Sequence, residues 1–337
     1  MRFIFILLAL LWTLPVFAAD LGAINKAVVD QHILPGFARL AERADALNAA
    51  AKAECAPASE PLRAAYNAAF DAWLGVSHLR FGPTETGDRG FALAFWPDPK
   101  GFTSKTLRGL IMAEDPAVND PAKFAHVSIA GRGFYALEFL LYDDAIRATG
   151  TPEYRCKLTR AVAADIDSVA HAILTDWQES YADVLLSPGE GTRYRSREEA
   201  AQELFKALTA GLQFTADTRL GRPLGSFDRP RPKRAEAWRS GRSLHNVVQA
   251  LEALQSLAVL LSGEHEDLAR KFKTGFAETF DLTAKLDDPV FAGVADPSGR
   301  LRVEILQQSI ERIRALLATD LGPTLGVAAG FNALDGD

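Results

Sequence analysis

Apolar residues recur at spacings of three and four through almost the whole chain, in segments 21–53, 60–81, 127–147, 153–185, 196–219, 239–262, 265–286 and 299–319. That period matches the turn of an α-helix, whereas the two-residue alternation of a half-buried strand is scarce. Stretches such as FGPTETGDRG, WPDPKG, EDPAVNDP, SPGEG, LGRPLGSFDRPRPKR and DDPVFAGVADPSG separate the segments with turn chemistry. An all-α fold follows. Two groups of about four helices, divided near SPGEG at 187–191, predict two helical bundles packed against each other. Pro35 should kink or split the first helix. The irregular stretch 82–101 is long enough to line a site, and Phe91, Phe95 and Trp96 favour an ordered loop.

The opening MRFIFILLALLWTLPVFAAD has one early cation, Arg2, a short apolar run and small residues at Ala18 and Ala19, the pattern of a secretory signal peptide over 1–19. The chain then divides into a first bundle at 20–186 and a second at 187–337, and the expected compartment is the periplasm. No later run reaches the roughly 18–20 apolar residues of a membrane span. No cysteine follows the cleavage site to carry a lipid. The formal net charge is −6 and the densest basic run is RPRPKR at 229–234, so nucleic acid is not an expected partner. Cys55 and Cys156 both outlast cleavage, and an oxidising compartment favours a disulfide between them.

Three constellations could carry chemistry. In GRGFYALEFLLYD, at 131–143, Glu138 is a carboxylate set in the middle of a helical run apolar nearly all round, and it shares a sector with Gly131, Tyr135 and Tyr142. A carboxylate so placed must find donors or be held protonated. In WRSGRSLHNVVQALEAL, Arg239, Ser243, Asn246 and Ala250 share another sector, with Ser240 as a helix cap. This strip can complement an acid from the other bundle, and Arg can bind it through two parallel bonds. In AWLGVSHLRFGP, Trp73, Ser77 and Arg80 share a face with Tyr66, and His78 points nearly opposite, so an unbroken helix brings only one of His78 and Arg80 to a common site. Each strip could equally serve only to dock the bundles. GEHEDLA lacks the second His of a zinc-protease motif, and no phosphate-binding loop or serine-nucleophile elbow is present.

Taken together, FDAWLGVSHLRFGP, FWPDPKG, GFYALEFLLYD, AEAWRSGRSLHN and LGVAAGFNALDGD identify a resemblance to the imelysin-like proteins, a bacterial periplasmic group named after a peptidase and linked to iron uptake. The resemblance implies two all-helical bundles with a site between them. Its signature, G-x-H-x-x-E, whose His and Glu are held to bind metal, stands here as Gly133-Phe134-Tyr135-Ala136-Leu137-Glu138. Tyr135 replaces the His. A phenol with a pKa near 10 is a poor zinc ligand, whereas a phenolate can serve ferric iron.

The resulting expectation is a binding protein for iron, another divalent or trivalent metal, or a small anionic iron-associated ligand, working with envelope iron-uptake proteins. Tyr135, Glu138, Arg80, Arg239, Ser240, Ser243 and Asn246 would form the ligand site, and Glu138, Tyr135 and His78 would hold metal. The alternatives are an imelysin-type metallopeptidase, with Glu138 on zinc or its water and His78 a further ligand, and a non-catalytic structural or interaction protein.

Overall fold

Helix ends in this chain are set by local chemistry that is easy to trace. In the computed structural model, which describes residues 19–328, Ser59 accepts the Leu62 N–H at the start of one helix, Thr151 accepts from Tyr154 at another, and Ser196 from Glu199 at a third. Pro61, Pro152 and Pro297 occupy first-turn positions, where a missing N–H leaves no bond unmade. The proposed signal peptide, apart from Ala19, and the end of the LGVAAGFNALDGD block lie outside the described residues.

Ten helices of eight residues or more carry the fold among the described residues. They are α1 (Leu21–Val28), α2 (Leu34–Ala53), α3 (Glu60–Leu74), α4 (Phe102–Ala113), α5 (Gly133–Tyr142), α6 (Pro152–Asp176), α7 (Arg197–Gln213), α8 (Ser243–Leu261), α9 (Glu266–Leu286) and α10 (Pro297–Leu316). No β-strand forms among these residues, only an isolated bridge between Ser226 and Arg229. Helix α2 packs on α3 and α6, and α5 lies on α6; in the other half α7, α8, α9 and α10 associate. Helix α1 packs against α7 and α8, and α3 touches α8, so one apolar core runs through both groups. The halves share a seam.

Four π-helical turns extend the long helices, at Val29–Ile33, Trp177–Tyr181, Phe214–Leu220 and Leu317–Leu321. The first lies just before Pro35. Leu34 N–H bonds the Val29 carbonyl five residues back, and Pro35 has no N–H with which to close the tighter ladder.

Three predicted helices are shorter than their apolar period suggests. The segment 60–81 leaves the helix after Leu74, and a turn at 75–78 intervenes. The segment 239–262 becomes helical only at Ser243, because Gly241 has a positive φ of 75°. Ser240 therefore does not cap α8; Arg242 occupies that position, with no side-chain cap bond.

The segment 127–147 is helical from Gly133. That glycine has φ 72°, and a Cβ there would lie 2.2 Å from the Leu93 carbonyl oxygen, so only glycine starts α5 against the preceding loop. Arg132 fixes the same point, donating Nε to Asp165 at 2.9 Å and Nη2 at 2.7 Å in a buried fork. A disulfide joins Cys55, just past α2, to Cys156 in the first turns of α6, with Cα atoms 5.2 Å apart.

Candidate functional site

Helix α5 is buried over most of its surface, and two of its side chains, Tyr135 and Glu138, bond across the seam. Tyr135 is held between aromatic rings: Trp96 of the 82–101 stretch stacks on it at 6.2 Å, and Phe70 meets it edge-on at 5.4 Å. Its hydroxyl donates to Glu236 Oε1. Glu236 Oε2 in turn accepts Arg219 Nε at 2.8 Å, and Arg219 donates to Thr215 Oγ1 at 3.2 Å. Tyr135, Glu236, Arg219 and Thr215 are buried, and Arg219 also lies over the Phe214 ring at 4.9 Å.

One turn on, Glu138 Oε1 accepts the Ser240 N–H at 3.0 Å and lies 2.9 Å from Ser240 Oγ. Burial pushes the Glu138 carboxyl above its usual range, against the two Ser240 bonds and the nearby charge of Arg239. Burial likewise holds the Tyr135 phenol well above 10, with the Glu236 charge adding to it. Tyr66 is raised in the same way, first by burial and then by Glu138. Close by in the fold, the Tyr66 hydroxyl, Ser243 Oγ, Arg242 Nε and both amide atoms of Asn246 are buried without a hydrogen-bond partner in the protein.

Arg239 does not clamp Glu138. It donates Nε to Asp143 at 2.7 Å and stacks over Phe139 at 3.7 Å, fastening the end of α5 instead. Arg80 lies apart from these groups: it pairs with Glu85 at 2.5 Å and covers exposed Phe91, because the early end of α3 turns it outward. The same turn carries His78 inward, where its Nε2 lies 2.9 Å from His32 Nε2. His32 Nδ1 is 3.4 Å from Ser256 Oγ. Burial lowers the His32 imidazole to about 4 and drives His78 well below its ordinary range, with His32 and Arg219 adding to the latter.

Between α2, α3 and α8 a groove of about 610 Å³ opens on this seam. His32 forms part of its wall, with Gln31, Arg39, Arg43, Asp71 and Ser256 around it. The acids in it are already engaged. Asp71 accepts from Arg242 and from His245, the latter at 2.9 Å, and Glu252 accepts from Gln249 at 2.9 Å. Arg39 has no carboxylate partner among the described residues, and Arg43 only an exposed contact with Glu42 at 3.8 Å.

The donor set at Tyr135 and Glu138 does not suit a bare metal ion. Each acid there is occupied by donors, and Arg219 already supplies a cation. His78 faces His32 rather than either acid. Among the described residues, the trio whose His and carboxylate ligand atoms converge within 4.8 Å is Asp45, Asp167 and His171, and it contains none of the expected metal ligands.

Sequence reasoning missed Glu236, Arg219, Thr215 and His32. A signal existed for Glu236 alone, an acid flanked by Ala235, Ala237 and Trp238. The pairings of His32 and Arg219 join residues far apart along the chain or on a π turn, which periodicity does not report.

Fold and seam define a class, an all-helical protein whose two helix groups are fastened by buried acid–donor pairs. The chain belongs to the imelysin family: the family model named Imelysin, peptidase M75, matches residues 33–317. It is 24% identical over 323 residues to iron-regulated protein A of Synechococcus elongatus, covering 88% of this chain and 85% of that one. The crystal structure of an imelysin-like protein from Psychrobacter arcticum superposes with a TM-score of 0.78 at 20% identity, over 94% of this chain and all of that one. An iron-regulated protein A precursor from Parabacteroides distasonis gives 0.70 at 14% identity, over 88% and 94%.

Proposed function

We propose that the protein acts outside the cytoplasm in iron acquisition, as a binding protein that holds a small anionic iron chelate in the groove between α2, α3 and α8. The observation that carries this reading is the groove itself. Its volume of about 610 Å³ falls in the range of small-molecule sites. Asp71 is paired with Arg242, and Arg39 and Arg43 set two guanidinium groups in the wall, Arg39 without a carboxylate partner among the described residues. Gln31 and Ser256 in its wall offer hydrogen bonds to oxygen-rich groups. The iron-regulated names of the relatives and the leader-like N-terminus support the setting. Envelope iron-uptake proteins are the partners this role would need. At the seam the peptidase alternative lacks support, since a catalytic zinc normally takes three protein ligands and Tyr135 is committed to Glu236.

Calorimetric titration of the mature protein with ferric citrate, citrate alone and free iron salts tests the proposal. Ferric citrate should bind, and Arg39→Ala with Arg43→Ala should weaken it about tenfold, roughly 1.4 kcal/mol. Binding indifferent to both arginines, or no binding of the chelate, would reject it.

A further inference from the structure

A different part of the molecule has the donor set that the seam lacks. On the α2–α6 pair, His171 Nε2 lies 3.2 Å from Asp45 Oδ2 and 3.5 Å from Asp167 Oδ1. One ring nitrogen holds at most one proton, and it cannot donate well to two acids at those distances. Neither acid has a Lys or Arg within ion-pair distance among the described residues. The spacings instead match the edges of a tetrahedron around an ion with ligand bonds of about 2.0–2.2 Å, which are roughly 3.3–3.5 Å long.

Two further observations point into this cluster. Asp167 Oδ1, the oxygen that faces His171, is buried with no hydrogen-bond partner. Asn48, itself only 8% exposed, donates Nδ2 to the other Asp167 oxygen at 2.6 Å, while its own Oδ1 is buried without a partner. The amide thus fixes the carboxylate from below and leaves a spare oxygen beside it. Asp45 and Asn48 lie one turn apart on α2, and Asp167 and His171 one turn apart on α6, the spacings at which helical side chains share a face. The Cys55–Cys156 bridge ties the same two helices about two to four turns away, which limits how far the donors can drift apart.

We propose that Asp45, Asp167 and His171 form a surface site for a divalent first-row transition-metal ion, with Asn48 as the residue that positions Asp167. An imidazole with two carboxylates selects ions of the zinc and ferrous class over calcium and magnesium, which prefer all-oxygen shells. Asp45 and His171 are about half exposed, so the remaining coordination positions are open to water or to an incoming ligand.

The test is titration of chelator-stripped mature protein with Zn²⁺, and with Co²⁺ for its visible absorption. One equivalent should bind with a spectrum typical of low-coordinate nitrogen and oxygen ligands. His171→Ala and Asp45→Asn should each weaken it roughly 100-fold or more, and Asn48→Ala about tenfold, with circular dichroism unchanged. Glu138→Gln and the double arginine variant should bind the ion as the parent does, which keeps this result separable from that for the chelate groove. Absence of stoichiometric binding, or binding that survives His171→Ala and Asp45→Asn, would overturn the assignment; so would loss of binding in Glu138→Gln with the trio intact.

Discussion

The seam and the α2–α6 trio treat acids in opposite ways. At the seam, Glu236 and Glu138 are almost wholly buried, and each is met by donors from its own chain: Tyr135 and Arg219 for one, Ser240 for the other. In the trio, Asp45 and Asp167 converge on a single imidazole nitrogen at distances too long for two good hydrogen bonds. The difference comes from water. A buried acid without donors would cost several kcal/mol, so the fold must supply them, whereas a half-exposed acid can leave its compensation to solvent or to an ion.

Substitutions should separate the two regions. The largest effect is expected for Glu236→Leu, which leaves Arg219 charged and unpaired in the core and Tyr135 without its acceptor. Urea unfolding should show a loss of about 3–5 kcal/mol, with Zn²⁺ binding of the refolded protein unchanged. Next comes removal of the disulfide. Cys55→Ser with Cys156→Ser opens a 101-residue loop and should lower stability by about 2–4 kcal/mol. Because the bridge ties α2 to α6, its removal should also weaken metal binding at the trio while sparing chelate binding in the groove.

Acid should act on the seam. His32 is held at about 4 in the folded protein against 6.5 for an ordinary histidine. Between those values the unfolded chain binds more protons, so stability is full above pH 6.5 and declines as pH falls toward 4. The loss between pH 7 and pH 5 should be about 2 kcal/mol from this residue, with His78 acting in the same direction. In His32→Gln, stability measured at the two pH values should differ by correspondingly less. The smallest effect belongs to Arg80→Ala. Its pair with Glu85 is partly exposed, so less than about 1 kcal/mol should be lost and neither ligand should notice.

Much of this architecture was readable from the residues. Helical periodicity and the Pro/Gly breakers define the elements, because burial of one stripe per helix is a local property. That the acid inside GFYALEFLLY must meet donors could be inferred from helical geometry, whereas Ser240, which meets it, reads as a helix cap and lies in the turn before α8. The partner of Tyr135 could not be inferred. Glu236 sits in a turn, where no period marks its direction, and Arg219 reaches it from a π turn that shifts the helical phase. Arg239 shows the converse error. Extending the period of α8 back through Gly241 puts it beside Glu138, but the positive φ of that glycine breaks the phase and sends the guanidinium to Asp143. The trio escaped notice because Asp45 and Asp167 are exposed or half-buried acids on polar helix faces, which look alike until two helices are set side by side.

The π turns carry a consequence for how such a chain can vary in length. A π turn is an α-helix with one surplus residue wound into it. His32 rides on the first of them, and Thr215 and Arg219 on the third. Deleting a single residue from 214–220 would let the hydrogen-bond ladder close up and rotate the downstream residues by roughly 100° about the axis, swinging Arg219 off Glu236. Aligned relatives that lack the surplus residue should therefore also lack the buried arginine, or the acid it neutralises.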